Sequence, residues 1–368
     1  MAQAAATGPV GVRRTAIRRW LRHAAGPFGV FTLTAAVYWI TAWRLGHVRS
    51  RGFAYWDQLA DAFLHGRLHV IDPANTLDMT QHLGKWYVTF PPLPAILLLP
   101  WSIVSSFVAV NTVVFSLLVG ALNTALVDSL LRSLVKRRIV NMSNESILWL
   151  VTLWAVGSVH WYMSVAGSVW FVSQICTATF LLLSLLVAAS GRALVAGTLL
   201  GIAALGRPTI LLALPAVVAV AVAASSTSTS KRLWPTFALL VSLPAGLIAM
   251  LLLAYNQARF GSPFDFGYGT QNVAPRLTSD LHTHGQFNLR YVPRNLWALL
   301  AAGPTRDARS WKITPDGTGM SVFLRTPAWV FAFLADRRRW LTRCCWLAVA
   351  LVLVPFMDTG SHSTSCPC

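Results

Sequence analysis

Apolar runs of membrane-spanning length fill most of the chain, and two long polar loops interrupt them. Runs near the ~20 residues that cross hydrocarbon lie at about 28–46, 146–163, 168–189, 234–255, 319–335 and 344–356. A longer apolar stretch, 91–134, has room for two spans. Two short segments cover 193–222 and meet at Gly206-Arg207-Pro208. These runs are continuous in Leu, Val and Ala, without the period-two alternation of a membrane barrel. A backbone in lipid is satisfied only in a helix or a closed barrel. The pattern therefore predicts an all-α fold, a polytopic transmembrane helical bundle of roughly nine or ten spans. It reads as a basic N-terminus (1–27), a transmembrane domain (28–356) and an irregular tail (357–368), with long loops at 47–90 and 256–318.

Composition agrees. The chain is 55% hydrophobic and 11% charged, where a soluble domain carries about 25% charged residues. Its net charge of +18 is mostly arginine, since lysine occurs only at Lys85, Lys136, Lys231 and Lys312. Short basic loops of membrane proteins face the cytoplasm. That rule puts 136–138, Arg192, 231–232 and 337–339 inside, and both long loops outside. The cluster Arg13, Arg14, Arg18, Arg19 and Arg22 holds the N-terminus in the cytoplasm and precedes a retained anchor. The same rule demands an odd number of crossings between Pro91 and Leu134, so either part of that stretch only dips into the membrane or one cluster breaks the rule. The expected location is the bacterial plasma membrane, and nothing suggests a nucleic-acid partner.

Of twelve acidic residues, Asp57, Asp61, Asp72 and Asp78 lie in the first loop, and Asp265, Asp280, Asp307 and Asp316 in the second. The segment Leu59–Leu64 has helical spacing and reads as a short interfacial helix with Asp57 and Asp61 four residues apart on one face. Like charges at that spacing raise one pKa and suit a general base. The plainer reading is a solvated helix face. Asp72 and Asp78 read as turn or cap residues. Trp86 and Tyr87, ahead of Phe90-Pro91-Pro92, read as an aromatic belt, and Lys85 beside them either snorkels or meets a lipid phosphate at headgroup depth. Arg259, in Tyr255-Asn256-Gln257-Ala258-Arg259-Phe260-Gly261-Ser262-Pro263-Phe264, is a planar donor suited to phosphate, with Asp265 close in sequence. Arg207 interrupts an apolar run, where a charge must be paired or wet. His160 beside Trp161 and Tyr162 reads as structural. His282 and His284, with His65, His69 and His82, lack metal-ligand spacing, and the five cysteines form no framework.

One span, an external loop with acids and an interfacial helix, then F-P-P-L-P opening the next apolar run resembles the GT-C class of integral-membrane glycosyltransferases. Within it, L-A-D-A-F-L-H-G-R-L, G-K-W-Y-V-T-F-P-P, G-R-P and Y-N-Q-A-R-F-G-S-P-F look like bacterial relatives of the dolichyl-phosphate-mannose–protein mannosyltransferases. The resemblance covers about 28–356. It implies a first-loop Asp acting as base in sugar transfer from a polyprenyl-phosphate donor to a glycan or protein acceptor. One phosphodiester charge can be balanced by Arg and Lys, so no cofactor or metal is expected; the alternative is a divalent ion held by the acids with His282 and His284. That role falls on Asp57, or failing that Asp61. The substrate-binding set is then Lys85, Tyr87, Arg207, Arg259 and Asp265. Such proteins usually carry more spans, so a C-terminal truncation is expected. The runner-up function is transport or flipping of lipid-linked sugars, and a third is a non-catalytic membrane protein.

Overall fold

The computed structural model describes residues 26–49, 54–105, 110–225, 230–306, 313–314 and 320–357. It is 71% helix and 4% strand. Helix α1 (Pro27–Arg44) is followed by α2 (Trp56–Leu64), a hairpin of β1 (Met79–His82) and β2 (Lys85–Val88), then α3 (Leu93–Ile103) and α4 (Thr112–Lys136). Next come α5 (Asn144–Val156), α6 (Val159–Ala166), α7 (Val169–Ala188) and α8 (Ala193–Ala204). A 3-10 segment (Pro208–Ala213) leads into α9 (Leu214–Ala224), and α10 (Ser230–Phe260) is the longest element. Beyond it lie α11 (Pro275–His284), α12 (Tyr291–Leu300), a two-residue strand pair β3 (Thr305–Arg306) and β4 (Ile313–Thr314), α13 (Val322–Arg325), a 3-10 segment (Pro327–Leu334) and α14 (Trp340–Met357).

Two hydrophobic clusters define two ends. One gathers Tyr55, Trp56, Met79, Val88, Phe90, Leu93 and Val169, with Leu205 packed against it. The other gathers Ala188, Ala193, Val222 and Val241, with Leu134, Ile139, Trp234 and Leu341 against it. The first holds both long loops and is the loop end. The second collects the chain around Lys136-Arg137-Arg138, Arg192 and the turn before Trp340, and is the basic end. Helices α4, α7, α8 and α10 each run from one end to the other.

Helix α3 does not cross. Its start is tied at the loop end by Leu93 N–H to Leu205 O at 3.0 Å. Its far end returns there, where Ser102 and Ser105 share a cleft with Asp57, Asn111 and Thr112. It packs along α2, and α4 alone carries the chain to the basic end. Of the two helices in 91–134, α4 is the one of spanning length.

Among the described residues three helices are long and apolar enough to cross a membrane: Thr112–Lys136, Val169–Ala188 and Trp234–Phe260. A fourth is added if α5 and α6, bent by 44° at Gly157-Ser158, count as one span. Fewer full-length helices form than the apolar runs suggest, and the causes are local. A residue before proline is pushed out of the helical region. Pro208 thus ends α8 by holding Arg207 in extended backbone, at φ -145° and ψ 109°. Two apolar pieces of less than spanning length are left. The run at 319–335 breaks at Thr326-Pro327 for the same reason. It is one helical turn and a 3-10 segment rather than a span. The arginine cluster 13–22, Asp307, Asp316, Cys366 and Cys368 lie outside the described residues.

The bundle is closed by two devices. At Gly197 of α8, a Cβ would stand 2.2 Å from Val241 O, so α10 crosses at backbone contact. Between α1, α4, α6 and α7 runs a buried polar chain. The Tyr38 hydroxyl donates to Ala155 O at 2.7 Å and meets His160 Nδ1 at 3.2 Å. Asn123 Nδ2 lies 3.4 Å from His160 Nε2, and Thr179 donates to Asn123 Oδ1 at 2.6 Å. His160 is thus a structural residue, as its place in the sequence suggested.

Candidate functional site

Helix α2 buries Trp56, Leu59, Ala60 and Ala62 and turns Asp57, Gln58 and Asp61 outward. Its apolar face lies on α3, and Trp56 Nε1 donates to Val169 O at 3.1 Å. That anchor sets the helix rotation. The outward face borders a cleft of about 880 Å³ that also takes in Arg67, Ser102, Ser105, Asn111 and Thr112. The i,i+4 acids read from sequence therefore do share one opening. Asp57 is half-buried, while Asp61 is 60% exposed. Asp61 faces Arg67 and His65, each with a nitrogen 3.5 Å from a carboxylate oxygen. Arg67 Nε is buried without a hydrogen-bond partner among the described residues.

A basic rim adjoins this cleft. His69 is held below its ordinary pKa, first by burial and then by the charges of Lys85 and Arg67. Lys85 thus lies within electrostatic reach of the chain beside the cleft. It is exposed at the hairpin tip. The turn before it is made by a left-handed pair, as tight hairpins require: Leu83 at φ 48° and Gly84 at φ 75°.

The other sequence-selected residues form a separate, inner cluster. Arg259 is 3% exposed. Its Nη1 donates to Val88 O at 2.8 Å and its Nη2 to Asn256 Oδ1 at 2.6 Å. The guanidinium carbon sits 4.1 Å from the centre of the Tyr255 ring and 4.5 Å from that of Phe260. Tyr87, buried, packs on Phe260 at 5.3 Å. Arg207 donates to Trp170 O at 3.1 Å and lies 4.8 Å over the Phe90 ring. Burial raises the Tyr268 phenol pKa, and Arg207 and Arg259, both close enough to act, pull it back. Each of the two arginines leaves its Nε buried and unbonded among the described residues. Asp265 is exposed and accepts the Gly267 N–H at 2.7 Å, holding a turn rather than pairing with Arg259.

Asp78 is the residue that the sequence undervalued. It is 7% exposed and adopts φ 61°. Trp170 Nε1 donates to Oδ2 at 2.9 Å and Gln271 Nε2 to Oδ1 at 3.3 Å. Its own N–H donates to Asn272 O at 2.6 Å, and Asn272 N–H to Met79 O at 2.8 Å. It therefore stitches the first loop to the second. Burial pushes its carboxyl up to about 6, against the pull of the Trp170 N–H. The only signal in the sequence was an acid between Leu77 and Met79, inside an apolar-framed hairpin.

The structure thus divides the expected site. Asp57 and Asp61 line the cleft with Arg67, and Lys85 stands near its rim. Tyr87, Arg207 and Arg259 lie in the inner cluster and are not among the cleft's lining residues. No group of three or more His, Cys, Asp or Glu comes together to hold a metal among the described residues. Comparison with family models, with curated proteins and with solved structures gives no match.

Proposed function

We propose that the chain is a multi-pass membrane glycosyltransferase of GT-C type, taking a sugar from a polyprenyl-phosphate donor. The observation that carries this reading is the cleft. Two carboxylates and an incompletely bonded arginine face one opening, beside an apolar helix that starts and ends at the same end of the bundle. The prenyl tail lies along apolar helix surface, and the sugar phosphate reaches into the cleft. Asp57 or Asp61 accepts the proton of an acceptor hydroxyl. The hydroxyl oxygen attacks the anomeric carbon from the face opposite the phosphate, so the configuration inverts. The bond from that carbon to the phosphate oxygen breaks, and its electron pair leaves with the polyprenyl phosphate. Arg67, with Lys85 behind it, stabilises that charge. Arg259, expected to do this with Lys85, is bonded elsewhere, to β2, and Arg207, expected only to bind substrate, is bonded to Trp170 O. A phosphodiester carries one negative charge, so Arg67 and Lys85 suffice without a metal.

The test is sugar transfer in membranes by Asp57→Asn, Asp61→Asn and the double variant. The double variant should lose a factor of about 10² to 10⁴, the range for general-base removal. Full activity in all three ends the proposal. Activity should survive EDTA, and rescue of a chelated sample by Mg²⁺ or Mn²⁺ would reassign the phosphate charge. The break at Arg207 between α8 and α9 favours one second reading, transport of a lipid-linked sugar. Translocation across vesicles without a new glycosidic bond would select it.

A further inference from the structure

The basic end carries its own cavity, of about 380 Å³, lined by Phe333, Arg337, Arg343 and Trp346. The Phe333 and Trp346 rings stack at 5.4 Å and 23°, making an aromatic wall. Arg343 Nε donates to Arg337 O at 2.8 Å, which fixes the start of α14 against the preceding turn. The Arg337 guanidinium forms no hydrogen bond or ion pair among the described residues. Among the described residues the carboxylate closest in sequence, Asp336, does not neutralise the pair. It accepts the Arg338 N–H at 2.9 Å and reaches only Arg339, at 4.0 Å. Two guanidiniums therefore line one cavity with their charge uncompensated.

The surroundings say what kind of anion would suit. Phe331 and Leu334 of the 3-10 segment are 71% and 79% exposed, and Leu347 of α14 is 51% exposed. Trp234 of α10 meets Trp340 edge-on at 5.3 Å beside them. A small inorganic ion would leave this apolar surface uncovered. A ligand with one charged group and long apolar chains covers both parts, and two guanidiniums match one phosphodiester.

We propose that this cavity binds the headgroup of an anionic phospholipid, with its acyl chains over Phe331, Leu334 and Leu347. The proposal is independent of the glycosyltransferase reading. The full chain is placed in nanodiscs of equal parts phosphatidylglycerol and phosphatidylcholine, extracted, and weighed by native mass spectrometry with its retained lipid. Phosphatidylglycerol should be retained selectively. In the Arg337→Gln/Arg343→Gln variant the enrichment should fall at least about tenfold, since each arginine at a membrane surface contributes about a fivefold factor. Arg137→Gln/Arg192→Gln, which changes the same charge elsewhere at this end, should keep it. An equal fall in both double variants would show that bulk charge alone is responsible, and would overturn the site. Two arms use only the unaltered chain. Equal retention of the two lipids overturns the proposal, and so does displacement of phosphatidylglycerol by millimolar inorganic phosphate.

Discussion

At the loop end the buried positions are large and directionally bonded. Trp56 donates to Val169 O, Tyr55 to Leu77 O, Arg259 to Val88 O, and Asp78 gathers Trp170 and Gln271. At the basic end most are small and apolar, among them Ala188, Ala189, Ala193, Ala196, Val217, Val218, Val222 and Val241, with few directional bonds such as Ser184 Oγ to Ala196 O at 2.7 Å. Both sets are buried, yet the first is the one that specifies orientation mainly atom by atom. The second specifies distance, since small side chains let α8 and α10 touch. A site that must hold carboxylates at fixed positions needs the first kind of packing. An end that only closes a bundle can use the second.

Three measurements would break or sharpen that contrast. The largest effect belongs to Trp56→Ala. It removes a fully buried ring and the bond that sets the rotation of α2. Stability in detergent should fall by about 3–5 kcal/mol, and access of a water-soluble carboxylate reagent to Asp57 should rise. A loss under about 1 kcal/mol, far below the usual cost of such a cavity, would mean that α2 is positioned from elsewhere.

The second measurement uses pH. Asp78 titrates near 6 in the fold against 3.8 for the free side chain, because burial penalises its charge. Between those values the folded chain binds more protons than the unfolded one, so stability falls as pH rises. The contribution is fully present below pH 3.8 and is lost as pH rises through about 6. A shift of that size corresponds to about 3 kcal/mol at most. Thermal unfolding from pH 4 to 7 should show this slope, and Asp78→Asn should remove it. A slope kept in Asp78→Asn would assign the titration to another group.

At the basic end the counterpart is Gly197→Ala, with the smallest expected effect. A methyl 2.2 Å from Val241 O forces α10 away from α8. Overpacking of this kind costs about 1–3 kcal/mol. Crosslinking between cysteines placed on the two helices should slow, while cleft access stays unchanged. A change in the cleft instead would show that the ends are coupled.

Helix identity was legible in the sequence wherever apolar runs were unbroken. The runs at 28–46, 168–189 and 234–255 became α1, α7 and most of α10, and the amphipathic segment around Leu59 became α2. Boundaries failed where proline acts on the residue before it, at Arg207 and Thr326. The course of α3 was left open because apolarity does not encode direction. It is decided by Leu93 meeting Leu205 far along the chain. The candidate site was legible in half. The spacing of Asp57 and Asp61 placed them on one face, because i,i+4 geometry is local. The assignment of Arg259 to the same site did not follow, since its partners Val88 and Asn256 are chosen by how a hairpin docks on α10. Asp78 was read as a turn residue, and its left-handed backbone is indeed one. Its burial depends on Gln271, 193 positions away, which no local pattern announces.

The clasp at Arg259 gives α10 a mechanical role. The apolar window of this helix is only 17% buried in the protein, so most of its apolar surface is open. Its final turn is bolted through one guanidinium to the backbone of β2, whose neighbouring chain runs on to the rim of the cleft. The helix is thus a lever with its short arm inside the protein. Where α10 spans, a thicker or thinner membrane that tilts it must move the hairpin too. There, the position of the hairpin and the thickness of the surrounding lipid become one mechanical variable.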